Sequence, residues 1–119
     1  MRTFAASVWL ALVSVSPALG RERFACNLHA LSPPERARHG ELTRLLWTTV
    51  AEKVELENGY GFRLPASELP HAAEWVTLEA RCCPFFTFAL AQARDQGPLW
   101  LRLTGSPGVK AFIRAELAP

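Results

Sequence analysis

Leu99, Leu101 and Leu103 alternate without exception with Trp100 and Arg102. Successive side chains on a strand point to opposite sheet faces, so this stretch can bury only one face. A strand of this kind needs a partner with the same alternation, and Phe86, Phe88 and Leu90 supply it. The parity of the two apolar sets requires an even loop, and Arg94-Asp95-Gln96-Gly97 provides four residues. The chain is thereby committed to an antiparallel hairpin with one apolar face, which something else must cover.

A second hairpin lies upstream. Val54 and Leu56 alternate with Lys53, Glu55 and Glu57; Tyr60, Phe62 and Leu64 alternate with Gly61 and Arg63. A two-residue Asn58-Gly59 turn would pair Leu56 with Gly61 and put the apolar sets on opposite faces. A three-residue loop, Glu57-Asn58-Gly59, pairs Leu56 with Tyr60 and puts them on one face. It also sets Gly59 at a left-handed bulge position, so the sequence predicts this loop.

Helices supply the cover. Ser32-Pro33-Pro34-Glu35 has the capping residue, first-turn prolines and returning carboxylate of a helix start. That helix is expected to reach about Thr49, burying Leu42, Leu45, Leu46 and Thr49. A second is expected over about Pro70 to Cys82, because Pro84 disfavours helical geometry at Cys83. A third opens at Ser106-Pro107 and buries Val109, Phe112, Ile113 and Leu117. The expected fold is α+β, in the order α-ββ-α-ββ-α: a two-layer sandwich with helices on one face of a four-stranded antiparallel sheet. The other face carries mixed charge and Trp100, and contact between two copies of the chain through that face is one expectation.

At 119 residues the chain has room for one domain. Its net charge of +2, with both signs interspersed, shows neither a nucleic-acid footprint nor a polybasic membrane patch. Residues 1–20 stand apart. Arg2, the apolar run from Phe4 to Val15 and the small residues Ala18 and Gly20 read as an export signal, too short to span a membrane. That implies a periplasmic or secreted domain over residues 21–119. The competing reading is a start placed too far upstream, with a cytoplasmic domain beginning near Arg21.

Three cysteines allow at most one bridge and leave a thiol. Glu79, Cys82 and Cys83 stand at i, i+3 and i+4, which puts the carboxylate one turn above both thiols. Cys26 and His29 form a C-x-x-H. Three thiolates select soft ions such as mercury, copper(I) or zinc over magnesium or calcium, and no other cofactor is indicated. Cysteine is also a small hydrophobe, and Cys83 falls in phase with Ala72, Ala73, Val76 and Ala80. Two adjacent cysteines at a helix end are not expected to share one core, so one should turn outward or towards the following loop.

A Cys82–Cys83 bridge would strain the peptide between them; a bridge from Cys26 to either is easier to accommodate. A helix C-terminus works against a thiolate, which ranks a thiol enzyme below binding. His39 is expected to be solvated and His71 to lie on the surface. Soft-metal binding by Cys82, Cys83 and Cys26, with Glu79 and His29 as auxiliaries, is therefore the leading reading. An interaction module with packed cysteines is the alternative.

The segments "ACNLHALSPPERARH", "NGYGFRLP", "AEWVTLEARCCPFFTFAL" and "GPLWLRLTGSPGVKAFI" resemble a group of small bacterial proteins. Their pattern runs from C-[DN]-L through E-x-x-C-C-x-F-F to G-V-K-x-F. Some are similar to proteins encoded near mercury-responsive regulators, which implies a heavy-metal role. The resemblance covers about Phe24 to Leu117 and marks Cys26, Glu79, Cys82, Cys83, Phe85 and Phe86, but not His29. It also implies a chain beginning near Phe24, against the export reading.

Overall fold

The computed structural model describes residues 24–117; the export reading of residues 1–20 falls outside them. Helix α1 (Pro33–Thr49) starts where the capping signal puts it. The Ser32 hydroxyl accepts from the Glu35 N–H at 3.3 Å, and the Glu35 carboxylate accepts from the Ser32 N–H at 2.9 Å. Leu42 and Leu46 are buried as expected, but Leu45 is 36% exposed and Thr49 is half-buried. The inward face of α1 is rotated towards His39, three residues before Leu42, and away from Leu45.

Strands β1 (Glu52–Leu56) and β2 (Gly59–Leu64) form the first hairpin, with a register that corrects the expected one. The turn is the two residues Glu57-Asn58, so Leu56 pairs with Gly59 and Glu55 with Tyr60. Neither turn residue nor Gly59 has a positive φ. Gly59 is drawn into the ladder with the last strand instead: it pairs with Thr104, and Asn58 O accepts from the Gly105 N–H at 3.0 Å. A Cβ at Gly59 would lie 1.9 Å from the Leu103 carbonyl oxygen, which is why a glycine stands there. As a result Tyr60, Phe62 and Leu64 are buried, while Val54 and Leu56 face the other side beside Gly61, Trp100 and Arg102.

Helix α2 (Leu69–Cys82) ends as Pro84 dictates. Cys83 leaves helical geometry at φ −124°, ψ 69°, and its N–H still donates to the Glu79 carbonyl at 2.7 Å. Strands β3 (Thr87–Gln92) and β4 (Leu99–Thr104) pair Phe88 with Leu103 and Leu90 with Leu101. The four-residue loop closes by a Gly97 N–H to Arg94 O bond of 3.1 Å, with Asp95 and Gln96 left-handed at φ 58° and 57°. Such geometry at both central residues matches the twist of the strands it joins. Helix α3 (Val109–Glu116) follows Gly108, whose φ of 101° re-aims the chain, and buries Val109 and Ile113. Phe112 and Leu117 pack against the core only partly buried.

The sheet is antiparallel throughout, in the order β1-β2-β4-β3. Leu42, Leu46, Trp75 and Ile113 from the helices meet Tyr60, Phe62, Leu99, Leu101 and Leu103 in one core. The fold is α+β in the expected order. No helix among the described residues is long and apolar enough to cross a membrane.

Candidate functional site

The last turn of α2 and the strap of residues 24–31 come together beside the α1–α2 pair. The strap is held by the last turn of α2. Asn27 N–H donates to Cys82 O at 2.7 Å, and Arg81 Nη2 donates to Ala30 O at 3.0 Å. Arg81 also pairs with Glu35 in the α1 cap. That guanidinium first, and the Ser32 donors second, lower the Glu35 carboxyl to about 2. At the strap's start, the Phe24 ring lies 5.1 Å from Phe85 and 6.3 Å from Phe112.

With the strap in place, Cys26 is joined to Cys83 by a disulfide whose Cα atoms are 4.6 Å apart, within ordinary disulfide range. Cys82 is the free thiol. Its Sγ lies 3.7 Å from Cys83 Sγ, 3.5 Å from Glu79 O and 3.9 Å from Glu79 Oε2. Burial first, and the neighbouring Glu79 carboxylate second, push the Cys82 thiol up to about 11. It is therefore a protonated S–H at neutral pH and not a resting nucleophile.

Glu79 is the one buried charged residue among those described, at 1% exposure. A buried carboxylate needs a partner, and Glu79 Oε2 finds His39 Nε2 across the helix pair. The His39 ring is stacked on Trp75 at 17° between planes and 6.3 Å between centroids. Trp75 Nε1 donates to Thr43 Oγ1 at 3.0 Å, and Thr43 Oγ1 donates to His39 O at 2.7 Å. On the solvent side of the same helix pair, Arg38 forks onto Glu74 at 2.7 and 2.8 Å. The imidazole is thus fixed by α1, α2 and the carboxylate together.

Ligand atoms of Cys26, Glu79 and Cys83 lie within 4.8 Å of one another, and so do those of His39, Glu79 and Cys82. Glu79 joins the two groups into a constellation of three sulfurs, a carboxylate and an imidazole. Cys26, Cys82, Cys83 and Glu79 are brought together; His29 is not. It sits exposed in the short 3-10 turn Leu28–Ala30, its backbone N–H on Asn27 Oδ1, outside both groups.

His39 corrects the expectation of a solvated side chain. The signal was its spacing from Leu42 and Leu46 on the buried stripe. His71 lies half-exposed against Glu68 at 2.9 Å, at the surface as expected. Both adjacent cysteines are fully buried, against the expectation that one would turn outward or into the following loop. Cys83 turns back to the strap instead, because the non-helical φ and ψ at the end of α2 swing it away from Cys82's direction.

A cavity of about 490 Å³ opens onto this constellation. Cys26, His39 and Glu79 line its polar side; Phe24, Phe112 and Leu117 line its apolar side. A larger groove, about 600 Å³ between the β1–β2 turn and α3, is lined by Glu57, Ser106, Lys110 and Arg114 and holds none of the sulfurs. No protein family, curated protein or solved structure matches the chain.

Proposed function

We propose that the protein binds one soft metal ion, in its reduced form, through Cys82, Cys83 and Cys26. The observation that carries this reading is the convergence of three sulfurs on Glu79 and His39. Sulfur-rich donor sets favour mercury, copper(I) or zinc over hard cations. Glu79, held by His39, would orient the thiolates by hydrogen bonding, as groups behind metal ligands do, while the thiol protons are released on loading. The strap's main-chain bond to Cys82 O and its Phe24 contacts do not depend on the disulfide, so Cys26 stays beside the doublet after reduction. The likeness to small bacterial proteins associated with mercury makes mercury(II) the ion to titrate first. Export by residues 1–20 would place the protein in an oxidising compartment that keeps the disulfide closed, so loading there would require prior reduction of the bridge.

Titrating the reduced, folded protein with mercury(II), while recording the thiolate-to-metal charge-transfer band, should give saturation at one ion per chain. The Cys82→Ser/Cys83→Ser double variant, checked for folding by circular dichroism, should lose the band. Equal affinity in the variant would remove the proposal.

A second reading, contact with another protein through the outer sheet face, is favoured by Val54, Leu56 and Trp100, clustered there with no covering layer among the described residues. It concerns the face opposite the helices and competes with the first reading for no residue.

A further inference from the structure

We propose that the cavity beside the strap admits a small, neutral or cationic thiol that opens the Cys26–Cys83 disulfide by attack on Cys26 Sγ. Three observations select this sulfur and this class of reactant. Cys82 and Cys83 are fully buried, whereas Cys26 is not and lines the cavity, so it is the sulfur of the bridge that a solute reaches. Phe24, Leu28, Phe112 and Leu117 offer an apolar wall to the body of the reactant. Among the described residues the acidic lining groups are Glu79 and Glu116 and the basic one is His39, a balance that disfavours a thiol carrying an additional negative charge.

The step is an ordinary exchange. The incoming thiol loses its proton to solvent, and its sulfur bonds to Cys26 Sγ. The Cys26–Cys83 bond breaks, and its electron pair leaves on Cys83 Sγ. The Cys82 S–H, 3.7 Å away, is the hydrogen-bond donor waiting for that thiolate, which then takes a proton from solvent. A second molecule of thiol attacks the mixed disulfide, releasing the free Cys26 thiol and a small symmetric disulfide. The small thiol is the reductant throughout, and the chain gains two thiols.

The exchange stands without any metal. Only its consequence, that a cavity-borne thiol converts the bridge into a three-thiol site ready to load, rests on the metal-binding reading.

The test uses the full, metal-free protein under native conditions. It is exposed separately to 2-mercaptoethanol, cysteamine and 2-mercaptoethanesulfonate, quenched with an alkylating agent and mapped by mass spectrometry. Rates are normalised to each thiol's reaction with a small disulfide. The mixed disulfide is expected on Cys26, with a rate proportional to thiol concentration and lowest for the sulfonate. A Leu117→Trp variant, which narrows the cavity, should react about tenfold more slowly when native and as fast as the parent when unfolded in urea. Capture on Cys83, or a rate independent of thiol concentration because the chain must first unfold, overturns the proposal. So does an unchanged native rate in Leu117→Trp. Failure of the mercury titration with normal capture at Cys26 would remove the metal reading and leave the exchange standing.

Discussion

Two regions of this protein invert the usual placement of side chains, in opposite directions. Between α1 and α2 a carboxylate is buried with an imidazole and three sulfurs packed around it. On the far face of the sheet, Val54 and Leu56 stand beside Trp100 with no layer above them among the described residues. The first costs desolvation and is kept by specific partners: His39 for Glu79, Glu79 and Cys83 for Cys82. The second costs little in a single chain, because exposed apolar residues are common on any surface. A buried polar group tolerates no substitute for its partner; an exposed apolar group has no partner to lose.

That contrast can be broken at graded points. The largest effect is expected at the bridge. Closing a loop across a sequence separation of 57 removes unfolded-state entropy, worth about 4 kcal/mol in the chain-entropy account. Urea unfolding of Cys26→Ser under non-reducing conditions should show a loss of that order. Next comes His39→Leu, which leaves the Glu79 carboxylate buried without its partner and should cost about 3 kcal/mol by the same measurement. A loss as small as a surface change would mean that the burial of Glu79 does not depend on His39.

The smallest effect belongs to the outer face. Leu56→Lys should shift stability by no more than about 0.5 kcal/mol if the chain works alone. A larger loss that grows with protein concentration, matched by a second species in sedimentation, would show that another copy covers this face.

Much of the architecture was legible in the sequence because local signals and tertiary needs agreed. The Ser32–Glu35 cap, the Pro84 stop and the even β3–β4 loop are each forced by backbone chemistry that packing does not oppose. The β1–β2 register was not legible, because only one of its two apolar sets seeks the core. Val54 and Leu56 lie on an edge strand. Their outward direction is set by Gly59, whose backbone is claimed by β4 some 40 residues further on.

The site was legible in part for a related reason. Glu79, Cys82 and Cys83 belong to one helix end, and their spacing places them together. Cys26 could be proposed as a partner, but only the fold brings the strap to the end of α2. His39 was missed because a histidine beside a glycine reads as polar surface, although its phase with Leu42 and Leu46 put it on the inward side. His29 carried the more familiar motif and turned out to face solvent.

The bridge also divides the chain mechanically. Residues between Cys26 and Cys83 carry α1, β1, β2 and α2, whereas β3, β4 and α3 lie outside the covalent ring. Tension applied to the two ends would peel α3, β4 and β3 from the sheet and then meet a closed ring that cannot lengthen. Reduction hands that ring back to the applied force, adding roughly 200 Å of extensible contour. One small thiol at one sulfur would therefore change how far the whole molecule can be drawn out.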